Sequence, residues 1–300
     1  MTALETAALT RHYGPVTALA AVDLSVPVGS VFGLIGPNGS GKTTLLEIVA
    51  GIRRPSAGRV ATAGQVAYCP DVAEFEPWLS AHEVLEVAAA LLGRKVTVEA
   101  TRAILERVQL SGVANRRVGG FSRGMATRLN IAAAMIAEPA LILLDEPAAA
   151  LDPAGQAELA ELIASLAPAA TVILSSHDLV DIEAVCDHLA ILNTGRLLYS
   201  GPIDTLLSQA GAPRWQLQLR PPIAPTLAAL HRVSWASNVE EVARDQISFT
   251  STQSALVEAE LPRILAATHA RVVSLTPKRP SLQEVFLALT SDTAIAGRVL

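Results

Sequence analysis

Cysteine is almost missing from this sequence: Cys69 and Cys186 are its only two, far apart and outside any C-x-x-C or Cys/His cluster. Both read as small buried apolar residues in a reducing compartment, and no structural metal is expected. Long apolar runs are missing as well. Hydrophobic residues make up 51% of the chain and mean hydropathy is +0.40. Much of that is alanine, however, and no uninterrupted stretch of about 18 apolar residues appears. The opening residues, Met1 to Gly14, lack a basic segment followed by an apolar one, so no secretory signal is expected. Basic charge is also short. With 23 Lys and Arg against 28 Asp and Glu, the net charge of −5 gives a nucleic-acid partner no electrostatic support. These absences predict a soluble intracellular protein. Its 300 residues allow about two domains and a sizeable core.

Against this background one stretch stands out: Gly36, Pro37, Asn38, Gly39, Ser40, Gly41, Lys42, Thr43 and Thr44. The apolar run Val31 to Ile35 precedes it and Leu45 to Ala50 follows, giving strand, glycine-rich loop, helix. The spacing G-x-x-x-x-G-K-[ST] is that of a phosphate-binding loop. Glycines let backbone N–H groups wrap an oxyanion, and the helix N-terminus adds positive potential. Lys42 is expected to reach the outer phosphates and the Thr43 hydroxyl to hold Mg²⁺. A glycine-rich turn that merely precedes a helix would carry the same letters, but the flanking strand and helix favour the phosphate loop.

The rest of the chain divides by pattern. Leu4 to Val31 alternates short apolar runs with turns, as antiparallel strands do. Residues 72–138 read as a mostly helical insertion. There Ser80 and Glu83 form a capping-box pattern before a helix to Leu92, and Val98 to Val108 reads as another helix. Leu141 to Leu144 is an unbroken apolar run, typical of a parallel strand covered on both faces, and Thr171 to Ser175 reads as a further buried strand. The helix Gln156 to Leu166 lies between them, and Leu189 to Tyr199 suits a hairpin. The alternation predicts an α/β core with ligands at the carboxyl ends of its strands. A change of texture at Ala210 to Pro213 divides a domain of residues 1–210 from an accessory domain of residues 211–300. The latter reads strand-helix-strand-strand-helix-strand, a small α+β pattern of ferredoxin-like type.

Asp145 ends a buried run, where a carboxylate can hold the metal. Glu146 beside it is placed to orient or deprotonate an attacking water. Two acidic residues ending a strand could instead cap the next turn; their place downstream of a phosphate loop disfavours that. His177 also ends a core strand, and strand ends in this architecture converge on one crevice. Tyr13, a lone aromatic before the second strand, is on local grounds as well read as a half-buried strand-end residue as a functional one.

Together these segments resemble the ATP-binding cassette of ABC transporters, over roughly Leu4 to Leu207. Gly36 to Thr44 resembles the Walker A motif, Leu141 to Pro147 the Walker B motif with its following glutamate, and Ser175 to Asp178 the switch-histidine region. Phe121 to Asn130 is similar to the family signature, with Ser122 and Gly124 at its phosphate-contacting serine and second glycine. Ala150-Leu151-Asp152 matches the D-loop. The resemblance implies a RecA-like parallel core with an antiparallel β subdomain and a helical subdomain. It makes Tyr13 the adenine-stacking aromatic and His177 a partner of the γ-phosphate. It further implies ATP and Mg²⁺ as cofactors and an ATPase acting as a head-to-tail dimer. In that dimer each ATP lies between one phosphate loop and the second copy's Ser122 and Gly124. A Ser-Arg-Gly-Met signature and the run Pro280 to Leu287 look like ATPase subunits of bacterial drug, antibiotic, sodium and lipid exporters. Such subunits serve a separate membrane permease from the cytoplasmic face.

Three positions depart from the family pattern. Asp71 stands where glutamine is usual, a position that touches Mg²⁺ or water and faces the permease. Ala148, Ala149 and Ala150 replace more polar D-loop residues, so a side-chain hydrogen bond across the dimer is missing. Arg123 replaces the first signature glycine and is expected to be a solvated side chain pointing away from phosphate. Asp71 and the alanines keep open an alternative, a soluble regulatory or non-transport cassette with weakened hydrolysis.

Overall fold

The computed structural model describes residues 1–149, 151–209, 214–278 and 281–291. Two compact units divide at Ile203/Asp204. That point lies a few residues before the change of texture at Ala210 to Pro213, which falls outside the described residues.

In the first unit, β1 (Thr2–Tyr13), β2 (Val16–Val22) and β3 (Ser25–Pro27) form antiparallel pairs, as their alternation predicts. They lead into β4 (Val31–Ile35), whose five residues are all buried. Next comes α1 (Lys42–Val49), and then β5 (Ala57–Thr62), which returns to pair with β1. After β6 (Val66–Cys69) the chain becomes helical, with α2 (Ala81–Leu91), α3 (Val98–Arg107) and α4 (Arg123–Met135). The capping box forms: the Ser80 side chain accepts from Glu83 N–H, and the Glu83 carboxylate accepts from Ser80 N–H at 2.7 Å. Thr97 and Ser122 cap α3 and α4 in the same way from their side chains.

The core then resumes with β7 (Leu141–Leu144), α5 (Pro153–Leu166), β8 (Thr171–Ser176), α6 (Leu179–Val185), β9 (His188–Asn193) and β10 (Arg196–Pro202). The sheet order is β10-β9-β4-β8-β7-β6, with every neighbouring pair parallel except β10 and β9. Burial on both faces explains why β7 and β8 have no polar alternation: all their residues are buried. Phe32, Leu34, Leu143 and Ile173 share one cluster with Leu45 and Leu46 of α1. The phosphate loop is therefore clamped between a buried strand and a helix whose inner face is core. Truncating a side chain as deeply buried as Phe32 costs about 3–5 kcal/mol.

The second unit begins within α7 (Ile203–Gln209) and contains β11 (Arg214–Arg220), α8 (Ala224–Leu230), β12 (Ser237–Ala243), β13 (Gln246–Thr250), α9 (Ser254–Ala267), β14 (Arg271–Lys278) and α10 (Leu282–Ser291). Its antiparallel sheet has the order β12-β13-β11-β14. The element order is that of the split βαβ arrangement. Leu217, Ile247 and Phe249 of the sheet pack with Leu230 of α8 and Val257 and Leu261 of α9. The second strand of this unit starts at Ser237. Trp235 lies in the preceding turn with its ring edge-on to Phe249, 5.9 Å between centroids, so the core claims this aromatic from the turn.

Candidate functional site

Four strand ends and the start of α1 meet at one cleft of about 370 Å³. Asn38 to Thr44, Asp71, Arg123, Glu146, Ala149, Leu151 and His177 are among its lining residues. Each reaches it because a buried strand stops there: β4 before the loop, β6 before Asp71, β7 before Glu146 and β8 before His177.

The loop's shape follows from its glycines. Gly41 has φ +107°, and a Cβ there would stand 2.5 Å from the Ala18 carbonyl oxygen. Gly36 cannot carry a side chain either, because its Cβ would meet the Leu192 oxygen at 2.2 Å. Gly41 caps α1 with no side-chain acceptor, so the helix's first N–H groups face the cleft unneutralised. The buried Ser40 hydroxyl has no hydrogen-bond partner.

Lys42, only 5% exposed, donates to the Gly36 carbonyl at 2.8 Å and pairs with Glu146 Oε1 at 3.3 Å. The other Glu146 oxygen lies 2.7 Å from His177 Nδ1. Lysine, glutamate and histidine thus form one chain across the cleft. Glu146 has φ 46°, a left-handed conformation that costs a residue other than glycine about 1–2 kcal/mol. Its N–H is held at 2.8 Å by Ser175 Oγ. The same hydroxyl donates to Asp145 Oδ1 at 2.6 Å, and Tyr68 OH donates to Oδ2 at 3.2 Å. Asp145 is 2% exposed, so these two donors replace much of its lost hydration. Burial first, and the Asp145 charge second, push the Tyr68 phenol far above its usual range, so it remains a donor.

The sequence-predicted residues fall into three groups. Asn38, Gly39, Ser40, Gly41, Lys42, Thr43, Thr44, Asp71, Glu146 and His177 line the cleft. Gly36 and Pro37 start the loop behind it, and Asp145 lies buried beside Glu146. Tyr13, Ser122 and Gly124 are outside the lining. Tyr13 ends β1 with Arg11 Cζ 4.6 Å and Arg53 Cζ 5.7 Å from its ring centre, a pair of cation–π contacts. Arg53 is also paired with Glu47 on α1. Ser122 Oγ accepts from Met125 N–H at 3.3 Å, so within one chain it is a helix cap. Arg123, expected to point away from phosphate, lines the phosphate-loop cleft. It starts α4 and stays exposed to solvent at the cleft edge.

Sequence reasoning did not single out Tyr68, Ser175 or Thr127 as site residues. Ser175 had a signal, since it ends the same buried strand as His177. Tyr68 had the weaker one of a polar ring tip at the end of β6, next to the aspartate strand.

Comparison with known proteins agrees with this geometry. A family model described as ABC transporter matches residues 19–149. The chain is 30% identical, over 94% of both chains, to the daunorubicin resistance ATP-binding protein DrrA3 of Streptomyces coeruleorubidus. It is 34% identical to the bacitracin transport ATP-binding protein BcrA of Bacillus licheniformis, over 68% of this chain and 71% of that one. A solved ATP-binding subunit of an ABC transporter superposes with a TM-score of 0.62 at 30% identity, covering 69% of this chain and 93% of the other.

Proposed function

The chain belongs to the ABC transporter family as an ATP-binding subunit, an ATPase on the P-loop cassette fold, and from that premise we propose that it drives an exporter for drug-like or antibiotic compounds. The resistance and transport names of its relatives support export. Among the described residues no helix is long and apolar enough to cross a membrane, so a separate permease supplies the path. The chain then docks on that permease at the cytoplasmic face.

The observation that carries the mechanism is the Lys42–Glu146–His177 chain on the phosphate-loop cleft. A triphosphate entering the loop competes with Glu146 for the Lys42 ammonium. Released from Lys42, the carboxylate is free to take a proton from the attacking water, with His177 turning to the γ-phosphate. Ser175 holds the Glu146 backbone while this exchange takes place. Mg²⁺ fits the donors present, which are hard oxygens on Thr43, Asp145 and Asp71. Bound there, Mg²⁺ would neutralise charge on the outer phosphates. The second copy's Ser122 and Gly124 close the site, giving a homodimer with two composite ATP sites.

Glu146→Gln tests the assignment. The variant is expected to bind ATP at least as tightly, since glutamine competes less for Lys42, while turnover falls at least about 10²-fold, the scale of lost base catalysis. Near-normal hydrolysis would remove Glu146 from the role of base.

A further inference from the structure

The turn before Leu151 carries alanine at 148 and 149, yet its backbone is held by hydrogen bonds. Ala149 N–H donates to the Glu146 carbonyl at 3.2 Å, and Leu151 N–H to the Ala148 carbonyl at 3.1 Å. These overlapping turns connect Leu151 directly to the backbone that carries Glu146. The Leu151 side chain then runs between two helix starts. On one side is Gly124 of α4, where an added Cβ would stand 3.0 Å from Leu151 Cδ2. On the other is Gly155 of α5, where it would stand 3.4 Å from Leu151 Cβ and 2.9 Å from the capping Asp152 Oδ1.

Both glycines lie in the first turn of their helices. Close approach of Leu151 bears on Gly124 within one chain, beside any phosphate that Gly124 meets across a dimer, whereas at Gly155 the tight neighbour is the capping Asp152 oxygen. Ala148 and Ala149 supply no side-chain hydrogen bond to hold the turn, so packing at Leu151 is its main side-chain restraint.

We propose that Leu151, seated between Gly124 and Gly155, is a positioning residue that ties the start of α4 to the Glu146 turn and so sets the aim of the base. The proposal rests on the reading of Glu146 as base. Movement of α4 shifts Leu151, and Leu151 carries the turn with it. The signature helix and the hydrolytic carboxylate are thereby linked inside one chain.

A double-mutant cycle between positions 124 and 151 tests this on the purified full chain, with kcat, KM, ATP affinity and thermal melting measured for each variant. A Cβ at 124 displaces Leu151 by a few tenths of an ångström. Gly124→Ala is expected to lower kcat about tenfold with ATP affinity unchanged, below the 10²-fold that a full ångström of misplacement can cost. Leu151→Val removes the atom in the way and by itself costs about twofold. The double variant is expected to regain about threefold over Gly124→Ala, the rest of the loss belonging to the phosphate that Gly124 meets across the dimer, with no drop in melting temperature that accounts for the single losses.

If the double variant instead shows the product of the two single losses, the link is wrong. It is equally wrong if Gly124→Ala weakens ATP binding by the same factor with Leu or Val at 151, since the glycine then serves only phosphate. Failure of the Glu146 assignment looks different: the 124–151 coupling persists while Glu146→Gln still turns over.

Discussion

The two walls of the cleft differ in how far one chain completes them. On the phosphate-loop wall the charged groups nearest the loop are partnered: Lys42 holds Gly36 and Glu146, Glu146 holds His177, and Asp145 is gripped by Ser175 and Tyr68, while Asp71 has no ion pair among the described residues. On the α4 wall, Ser122 caps its own helix and Arg123 faces the cleft with no ion pair among the described residues. The first wall is buried and rests on the sheet. The second stands on a surface helix and makes its link to the chemistry through Leu151. The groups proposed as loop, metal carboxylate and base are thus held within one chain, whereas the signature side carries no such network.

The comparison can be broken at either wall. The largest effect is expected at Lys42. Lys42→Ala removes the buried cation that both Glu146 and phosphate need, and kcat/KM for ATP is expected to drop about 10²–10³-fold, as for loss of a preorganised charge contact. ATP affinity should fall with it, which separates this variant from Glu146→Gln; titration calorimetry with ATP checks the point.

Ser122→Ala strikes the other wall and should act twice. Loss of the cap costs about 1 kcal/mol in stability, read as a lower melting temperature. Turnover should drop by more than that loss explains, while ATP affinity in dilute protein stays unchanged, because the phosphate that Ser122 meets belongs to the other copy. Ser122→Asn, which keeps a capping oxygen, should restore the stability and not the turnover.

The smallest effect is expected at Asp71, the extra carboxylate on the completed wall. Asp71→Gln removes a like charge from the side of the cleft that holds Glu146. Turnover should change by about fivefold, on the scale of the roughly 1 kcal/mol between like charges near water. Unchanged ATPase rate and unchanged stimulation by the permease would show that aspartate at this position is neutral.

Legibility in the sequence followed the same divide. The first wall was readable because its chemistry sits at the ends of apolar runs: β4 announces the loop, β7 announces Asp145 and Glu146, and β8 announces His177. What stayed hidden depends on contacts between strands. Tyr68 reaches Asp145 only because β6 pairs with β7, and no local pattern records that pairing. Ser175 serves two residues because β8 lies beside β7. The second wall was readable as a motif but not as a structure. The cap role of Ser122, the direction of Arg123 and the packing of Leu151 on Gly124 all require the docking of α4 to be known. Tyr13 shows the reverse case. Its position matched a family role, and its ring in this structure is exposed with Arg11 and Arg53 beside it.

The central claim is that one chain holds half of an ATP site. The mass of Glu146→Gln in solution with MgATP, measured by light scattering against the same protein with MgADP, tests it most directly. A doubling of mass with MgATP, absent with MgADP and abolished by adding Ser122→Ala, is the expected result. A protein that binds one ATP per chain yet remains monomeric at high concentration would contradict it.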